Sequence, residues 1–312
     1  MPSVKTNGIS IEYELFGSKG PVIVLVMGLG MQMVAWPDEF IQAMLVAGYR
    51  VLRFDNRDIG LSTWFDYMGR PSLISLALKH TLRLPIKSPY SLSDMATDAV
   101  GVCDALGIKR AHWLGVSMGG MIAQLVAVNH PSRVATLTSV MSSSGARGLP
   151  GPSLQARKAM LQRAPNSRSH TNPSERAEAW VEHTFKLFRV IGSPSNPLEI
   201  AEVKTQAEIE VKERIRAANT RAFHPDGTLR QTAAILADAD RSARLSTIKA
   251  PTLVVHGTVD PLLPIACGQD TAKKIIGSRF VPVGGMGHDL APVAQTGILA
   301  ALLPFIGQHT TT

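Results

Sequence analysis

The hydrophobic and polar positions of the chain follow two different periods. Residues 9–15 carry an apolar side chain at every second position, which predicts a half-exposed β-strand at the edge of a sheet. Residues 22–26 are continuously apolar, which is typical of a strand buried on both faces. Further strands are predicted at 51–54, 134–141, 252–256 and 279–282, and helices at 38–48, 91–106, 118–129 and 296–306. Strands that alternate with helices predict an α/β protein with a largely parallel sheet.

The apolar run that begins at Ala111 leads into a serine flanked by glycines, in the order Gly115, Val116, Ser117, Met118, Gly119. This spacing predicts a sharp turn between a strand and a helix, where a strained backbone requires neighbours without side chains. Such a turn exposes the serine hydroxyl at the positive N-terminal end of the helix. Ser117 is therefore the candidate nucleophile.

A serine hydroxyl becomes a useful nucleophile only when a base accepts its proton and a further group orients that base. Asp260 follows the predicted strand at 252–256, and His288 follows the predicted strand at 279–282. The carboxyl ends of parallel strands share one edge of a sheet, where such proteins place their ligands. The chain order serine, aspartate, histidine predicts a catalytic triad of Ser117, Asp260 and His288.

Other acids and histidines receive structural interpretations. The strand at 134–141 ends in serines with no acid nearby, which assigns the role of the triad acid to Asp260. Asp289 adjoins His288 and is interpreted as a loop acid, because neighbouring side chains seldom meet head-on. His256 ends a buried strand and is interpreted as structural, and His80 as a surface residue.

These motifs resemble the α/β-hydrolase superfamily from about Ile9 to Phe305, apart from an atypical middle. The chain is especially similar to the bacterial serine esterase branch that includes aclacinomycin methylesterase. The residues that carry this likeness are Val26–Gly30, Trp36–Phe40, Phe54–Ser62 and Gly287–His288. The resemblance implies an α/β-hydrolase fold, with a mostly parallel sheet flanked by helices and a helical lid inserted after the sixth core strand. It also implies serine esterase chemistry and a structural role for the loop Asp55–Gly60.

Ester hydrolysis passes through a tetrahedral oxyanion that needs preorganised N–H donors. One donor is expected to be the backbone N–H of Met118, the residue after the nucleophile, and the other to come from the loop Met27–Gly30. The family often has His-Gly-x here, with the donor after the glycine. This resemblance implies Leu29 as the second donor, in a loop formed with Gly28 and Gly30, and Met27 in place of the usual histidine.

The pattern changes in the middle of the chain. Residues 147–246 contain helical stretches at 174–190 and 197–222 interrupted by prolines, and we expect them to form a helical lid, hereafter the lid segment. Residues 1–146 and 247–312 are expected to form the core domain. A smaller insertion at 66–90 holds an apolar stretch with helical spacing, Ser72–His80, which could project over the site.

The composition is that of a globular protein. The chain has 312 residues, of which 45% are hydrophobic. Two cysteines, Cys103 and Cys267, form no disulfide framework, which suits a reducing compartment, and both are interpreted as buried. The first ten residues lack an apolar signal segment, and the longest apolar stretch, at 21–36, is too short and interrupted to span a bilayer. We therefore expect a cytoplasmic protein without stable membrane insertion.

The net charge of +8 is unevenly distributed. Residues 66–90 hold four Lys or Arg against one acid, and residues 142–190 hold eight against three. Neither segment has the aromatic-rich pattern of a nucleic-acid site, so nucleic acid is not expected as a partner. Either a solvated lid surface or an electrostatic funnel for anionic esters would explain the excess.

The sequence thus predicts a carboxylesterase that acts on small-molecule esters through an acyl-enzyme intermediate, without a metal or an organic cofactor. A cofactor-free perhydrolase or haloperoxidase, a lactone hydrolase and a carbon–carbon bond hydrolase remain open as alternatives on the same triad. A ligand-binding receptor of this fold would not need a complete triad. Haloalkane dehalogenation is disfavoured, because in this fold it uses an aspartate nucleophile.

Overall fold

The computed structural model describes residues 2–162, 165, 172–194, 201–222, 224–238 and 241–310. The predicted helical stretch at 197–222 therefore lies partly outside the described residues.

The predicted strands are all present, with bounds that differ by at most a few residues. They are β2 (Ile9–Phe16), β3 (Val22–Val26), β4 (Arg50–Phe54), β5 (Ala111–Val116), β6 (Val134–Val140), β7 (Thr252–Gly257) and β8 (Arg279–Val283), and a strand that was not predicted, β1 (Ser3–Thr6), precedes them. They form one sheet in the order β1-β2-β4-β3-β5-β6-β7-β8. Strands β3 to β8 run parallel, and the pairs β1–β2 and β2–β4 are antiparallel.

The expectation that residues 9–15 form the sheet edge is wrong, because β1 pairs outside β2. β1 has too few apolar positions to show a period, although its backbone pairs with β2 and Val4 packs against the core. A turn signal was nevertheless present. Asn7 and Gly8 have φ values of 48° and 78°, and two consecutive positive φ values are what a tight hairpin turn of the Asn-Gly type requires.

The helices lie between the strands in the chain. They are α1 (Asp38–Val46), α2 (Leu73–Thr81), α3 (Leu92–Ala105), α4 (Met118–Asn129), α5 (Leu154–Met160), α6 (Pro173–Ile191), α7 (Ala201–Arg221), α8 (Pro225–Ala237), α9 (Ser242–Leu245), α10 (Ala266–Lys274) and α11 (Pro292–Gly307). Helices α5 to α9 fall between β6 and β7, within the lid segment.

Apolar side chains cover both faces of the sheet. In β3, Val22, Val24 and Val26 belong to one cluster, which includes residues of α3 and α4. Ile23 and Leu25 belong to a second cluster, which includes residues of α1 and α11. Because successive strand residues point to opposite faces, the continuous apolar run of β3 is needed to build both clusters at once.

His112 is a polar residue inside this core, and it makes stability depend on pH. It lies in β5, is 3% exposed, and its Nδ1 is 2.9 Å from Thr136 Oγ1. Burial, together with the charges of Arg110 and His309, lowers the pKa of His112 to about 4.

We expect the free energy of unfolding to fall as the pH drops from about 6.5 to about 4. In this range His112 binds a proton in the unfolded chain but not in the folded chain. The pKa difference corresponds to about 3 kcal/mol. Urea titrations across this range should show a smaller loss for His112→Gln than for the wild type, whereas His80→Gln, at an exposed position, should behave as the wild type. Equal losses in the wild type and His112→Gln would contradict this expectation.

Candidate active site

The turn after β5 has the strained geometry that the glycine spacing predicts. Ser117 has φ 55° and ψ −121°, a left-handed conformation that is costly for a residue with a side chain. A Cβ atom on Gly115 would lie 2.1 Å from the Gly119 carbonyl oxygen, and one on Gly119 would lie 2.0 Å from the Val26 carbonyl oxygen. Both positions therefore exclude side chains. The Ser142 hydroxyl, which follows β6, donates to the Ser117 carbonyl at 2.8 Å and supports the turn.

Ser117, His288 and Asp260 come together although 171 and 28 positions separate successive members in the chain. His288 Nε2 lies 3.0 Å from Ser117 Oγ, and His288 Nδ1 lies 2.7 Å from Asp260 Oδ2. His288 is 7% exposed and Asp260 is 5% exposed. The carboxylate can only accept at Nδ1, which fixes the neutral imidazole in the tautomer whose Nε2 lone pair faces the serine hydroxyl.

The second carboxylate oxygen of Asp260 is held by the backbone. Asp260 Oδ1 accepts hydrogen bonds from the N–H groups of Leu262 and Leu263, each at 2.9 Å. His256 supports the same turn, since its Nε2 donates to the Leu263 carbonyl at 2.7 Å. Burial lowers the pKa of His256, which keeps the imidazole neutral. These contacts fit the structural role expected for His256.

Asp289 makes a different set of contacts from Asp260. Its Oδ1 accepts from the Ser193 hydroxyl at 2.6 Å, and its Oδ2 accepts from the Ser193 N–H at 2.9 Å. The same Ser193 hydroxyl accepts from the Gly287 N–H at 2.9 Å, and the His288 N–H donates to the Ile191 carbonyl at 2.7 Å. Asp289 thus joins the end of α6 to the loop that carries His288. Sequence reasoning found no signal for Ser193.

The loop after β3 lies beside the nucleophile. A Cβ atom on Gly28 would be 3.4 Å from Ser117 Cβ and 3.9 Å from Ser117 Oγ. Met118 is the buried first residue of α4, and Leu29 is half-buried. Within the described chain, neither the Leu29 nor the Met118 backbone N–H has a hydrogen-bond partner. Both groups therefore remain free to donate to an oxyanion.

Side chains remote in sequence fix the shape of this loop. Gly30, with φ 69°, donates its N–H to Gln231 Oε1 at 2.9 Å. Asn56 Nδ2 donates to the Met27 carbonyl at 3.0 Å, and the Met33 N–H donates to Asp55 Oδ1 at 2.8 Å. Gln231 belongs to α8, so a helix of the lid segment helps to hold the loop. The sequence analysis missed Gln231, because a lone glutamine in a helix carries no recognisable pattern.

The acids of the loop after β4 form ion pairs with residues of the lid segment. Arg230 Nε and Nη2 donate to the two oxygens of Asp58 at 2.6 and 2.8 Å, and Arg221 Nη1 donates to Asp55 Oδ2 at 2.5 Å. Burial alone would raise the pKa of Asp58, but hydrogen bonds from Arg230, the Phe65 N–H and Tyr90 outweigh it and hold the pKa below its usual value. These acids therefore connect residues of the lid segment to the loop after β4.

The remaining candidate nucleophiles are inert. Cys103 and Cys267 are both buried, as expected. Burial raises the pKa of the Cys103 thiol to about 12, and it also raises that of Cys267, so both are protonated at neutral pH. Over the described ranges, no group of three or more His, Cys, Asp or Glu side chains is arranged to hold a metal ion.

The mostly parallel sheet, with the strained serine turn after β5 and polar side chains after β7 and β8, defines an α/β-hydrolase. Comparison with known proteins agrees: the chain belongs to the alpha/beta hydrolase fold family, whose model matches residues 21–293. This confirms the superfamily and the α/β-hydrolase fold with a mostly parallel sheet flanked by helices that were expected from the sequence.

The individual relatives described next are less than 30% identical to this chain. The chain is 28% identical over 300 residues to rhodomycin D methylesterase DnrP of Streptomyces peucetius, covering 90% of this chain and 89% of that protein. It is 28% identical over 298 residues to rhodomycin D methylesterase DauP of Streptomyces sp. strain C5, with the same two coverages. Among solved structures, the enol-lactonase from Burkholderia xenovorans LB400 aligns with a TM-score of 0.66 and 23% identity over 99% of both chains. That last likeness is one of fold.

Proposed function

We propose that this protein is a serine carboxylesterase in which Ser117 is the nucleophile, His288 the general base and acid, and Asp260 the residue that orients His288. The observation that carries the proposal is the continuous pair of hydrogen bonds from Ser117 Oγ through His288 to Asp260, 3.0 and 2.7 Å long. Geometry of this kind allows proton transfer to accompany attack on a carbonyl.

The reaction has two halves. Ser117 Oγ attacks the ester carbonyl carbon as His288 Nε2 takes the hydroxyl proton, and the resulting oxyanion accepts hydrogen bonds from the Met118 and Leu29 N–H groups. Collapse of this intermediate breaks the bond to the alcohol oxygen, which receives the proton from His288. Water, deprotonated by the same imidazole, then attacks the acyl-enzyme, and the carboxylic acid leaves as Ser117 regains its proton. The buried Asp260 carboxylate stabilises the imidazolium in both halves.

Within this class, we propose methyl esters as substrates. Support comes from the two relatives named rhodomycin D methylesterase, which the chain matches over about nine tenths of its length. Direct measurement should compare p-nitrophenyl esters of increasing acyl length, methyl esters followed by methanol release, lactones, and peracid formation from acetate and hydrogen peroxide. Faster turnover of peracid formation or of lactones than of every open-chain ester would overturn the proposed reaction.

We further propose that the lid segment, residues 147–246, covers the carboxyl ends of the strands and selects the substrate, with residues 66–90 as a smaller cap. Three contacts support this placement: Ile191 with His288, Gln231 with Gly30, and Arg221 with Asp55. Each joins a residue of the lid segment to a loop at the catalytic end of the sheet.

The basic lid leads to a prediction about salt. If its charge draws anionic substrates to the cleft, kcat/KM for an ester with a remote carboxylate should fall as NaCl rises, because the Debye length is only about 8 Å at physiological ionic strength. A neutral ester of the same size is the control, and kcat should change little for either. Arg157 and Lys158 are exposed in α5. The same salt response for both esters would leave these residues as a solvated surface.

A further inference from the structure

Helix α2 exposes apolar side chains that a water-soluble surface would normally bury. Leu73, Ile74 and Leu78 of this helix are 51%, 83% and 57% exposed, and Leu82 and Leu84, directly after it, are 57% and 50% exposed. These five residues are hereafter the α2 patch. Tyr67 and Met68, just before the helix, are also exposed.

The exposure follows from the way the helix is turned. α2 packs against α8, and Leu76 is its one buried side chain. At 100° per residue, Ile74 and Leu78 lie on the face opposite Leu76, whereas Leu73 lies one turn before Leu76, nearer its own side of the helix. The helix thus presents more apolar surface to solvent than to the protein. Contiguous apolar surface of this kind marks an interaction site.

Basic residues border the α2 patch. Lys79 stands in the last turn of α2, while Arg83 and Lys87 are exposed beyond it. In the part of the chain that the structure describes, none of the three forms an ion pair. The one acid at 66–90, Asp66, is paired with Arg230 at 2.9 Å. The patch therefore combines exposed leucines with uncompensated positive charge.

The combination of exposed leucines and positive charge fits an anionic lipid surface better than a second copy of this chain. A two-fold contact with a second copy would bring the basic residues of both copies together, which is destabilising. An anionic lipid surface accepts both features at once, since leucines enter the headgroup region while lysine and arginine meet phosphates. No helix in the described ranges is long and apolar enough to cross a membrane. A helix of nine residues that lies in the interface needs no such length.

We propose that the α2 patch docks the protein reversibly on the surface of anionic lipid bilayers. The patch lies one helix away from the oxyanion loop, because α2 packs on α8 and α8 carries Gln231, which holds Gly30. Docking would therefore place the catalytic end of the molecule close to the membrane surface. The proposal concerns binding, and it holds whether or not the esterase assignment does.

The test is co-sedimentation with vesicles of phosphatidylcholine, prepared with and without phosphatidylglycerol, with Ser117→Ala as the bound protein so that turnover cannot contribute. We expect binding to the anionic vesicles that weakens as NaCl rises. Ile74→Ser/Leu78→Ser should weaken it by more than about tenfold, given the apolar surface removed. Lys79→Gln/Arg83→Gln should weaken it by about tenfold or more, since each basic residue near an anionic surface contributes several-fold.

A matched control is available elsewhere on the surface. Val46 and Ile276 are 84% and 82% exposed and lie outside the patch, so Val46→Ser/Ile276→Ser removes comparable apolar surface. This control should bind vesicles as the parent does. The Ile74→Ser/Leu78→Ser protein should keep the far-UV circular dichroism spectrum and the Tm of the parent, which confirms folding without reference to activity.

Three results would overturn the proposal. One is the absence of binding to either kind of vesicle. Another is equal loss of binding in the control and patch variants. The third is a parent protein that is dimeric by light scattering and becomes monomeric in Ile74→Ser/Leu78→Ser, which would make the patch a contact between copies.

Discussion

Replacing Ser117 with alanine is expected to lower kcat for ester hydrolysis by about 10⁴- to 10⁶-fold, with KM changed little. The Ser117 hydroxyl is the group of the proposed triad that forms a covalent bond to the substrate. Its loss leaves only oxyanion stabilisation and substrate binding to accelerate the reaction. A fluorophosphonate probe should label the wild type at Ser117 and leave the variant unlabelled. Hydrolysis that survives in the variant, or labelling at another residue, would refute the assignment.

The strain at Ser117 supplies a second measurement on the same position. Alanine keeps a Cβ atom at φ 55°, so Ser117→Ala should unfold at nearly the wild-type temperature. Glycine tolerates this φ, and Ser117→Gly should be equally inactive but more stable by about 1 kcal/mol, or ~2 °C or more in Tm. A decrease in Tm for Ser117→Gly would show that the serine backbone is not strained.

The second large effect is expected at Asp260. Asp260 Oδ1 accepts two backbone N–H groups, so in Asp260→Asn the amide oxygen must remain at that position and the NH2 group must face His288 Nδ1. The imidazole then carries its proton on Nε2 and can no longer accept one from Ser117. We expect kcat to fall by about 10⁴-fold, as it does for the equivalent change in serine proteases.

Asp289→Asn is the matched control, since it makes the same chemical change one residue from His288. Ser193 can both donate to and accept from the new amide, and the loss should be less than about tenfold because the imidazole keeps its tautomer. kcat should therefore separate the two variants by orders of magnitude. The reverse ranking would place the triad acid at 289 and contradict the assignment of Asp260.

The strand pattern and the serine turn could be predicted from the sequence because both depend on neighbouring residues. The apolar run of β3 serves two clusters on opposite faces, so it appears directly as consecutive hydrophobic residues. Gly115 and Gly119 are needed because the turn leaves no space for a Cβ atom. β1 escaped prediction, because four residues held by backbone hydrogen bonds show no hydrophobic period.

The residues of the candidate triad could be predicted from the sequence for a related reason. Asp260 and His288 each follow a strand, and strands of a parallel sheet end at a common edge, so local pattern and topology together bring them to Ser117. The residues that hold the loops of the site in place could not be predicted. Ser193 meets Asp289 across 96 positions, and Gln231 meets Gly30 across 201. Single polar residues at such separations carry no periodic signal.

Helix α2 shows the same difference between what the sequence predicts and what the tertiary structure decides. Apolar spacing by itself determined that residues near Ser72–His80 form a helix, because the period of 3.6 residues is a property of the local backbone. It could not determine which side of the helix meets the protein, since that depends on the surface α8 offers. Only the tertiary structure decided that Leu76 is buried and Ile74 exposed. Local sterics and hydrophobic periodicity depend on neighbouring residues, so the sequence by itself determined them. The buried face of a helix and the distant partner of a polar side chain depend on how remote segments pack together, so only the tertiary structure decided them.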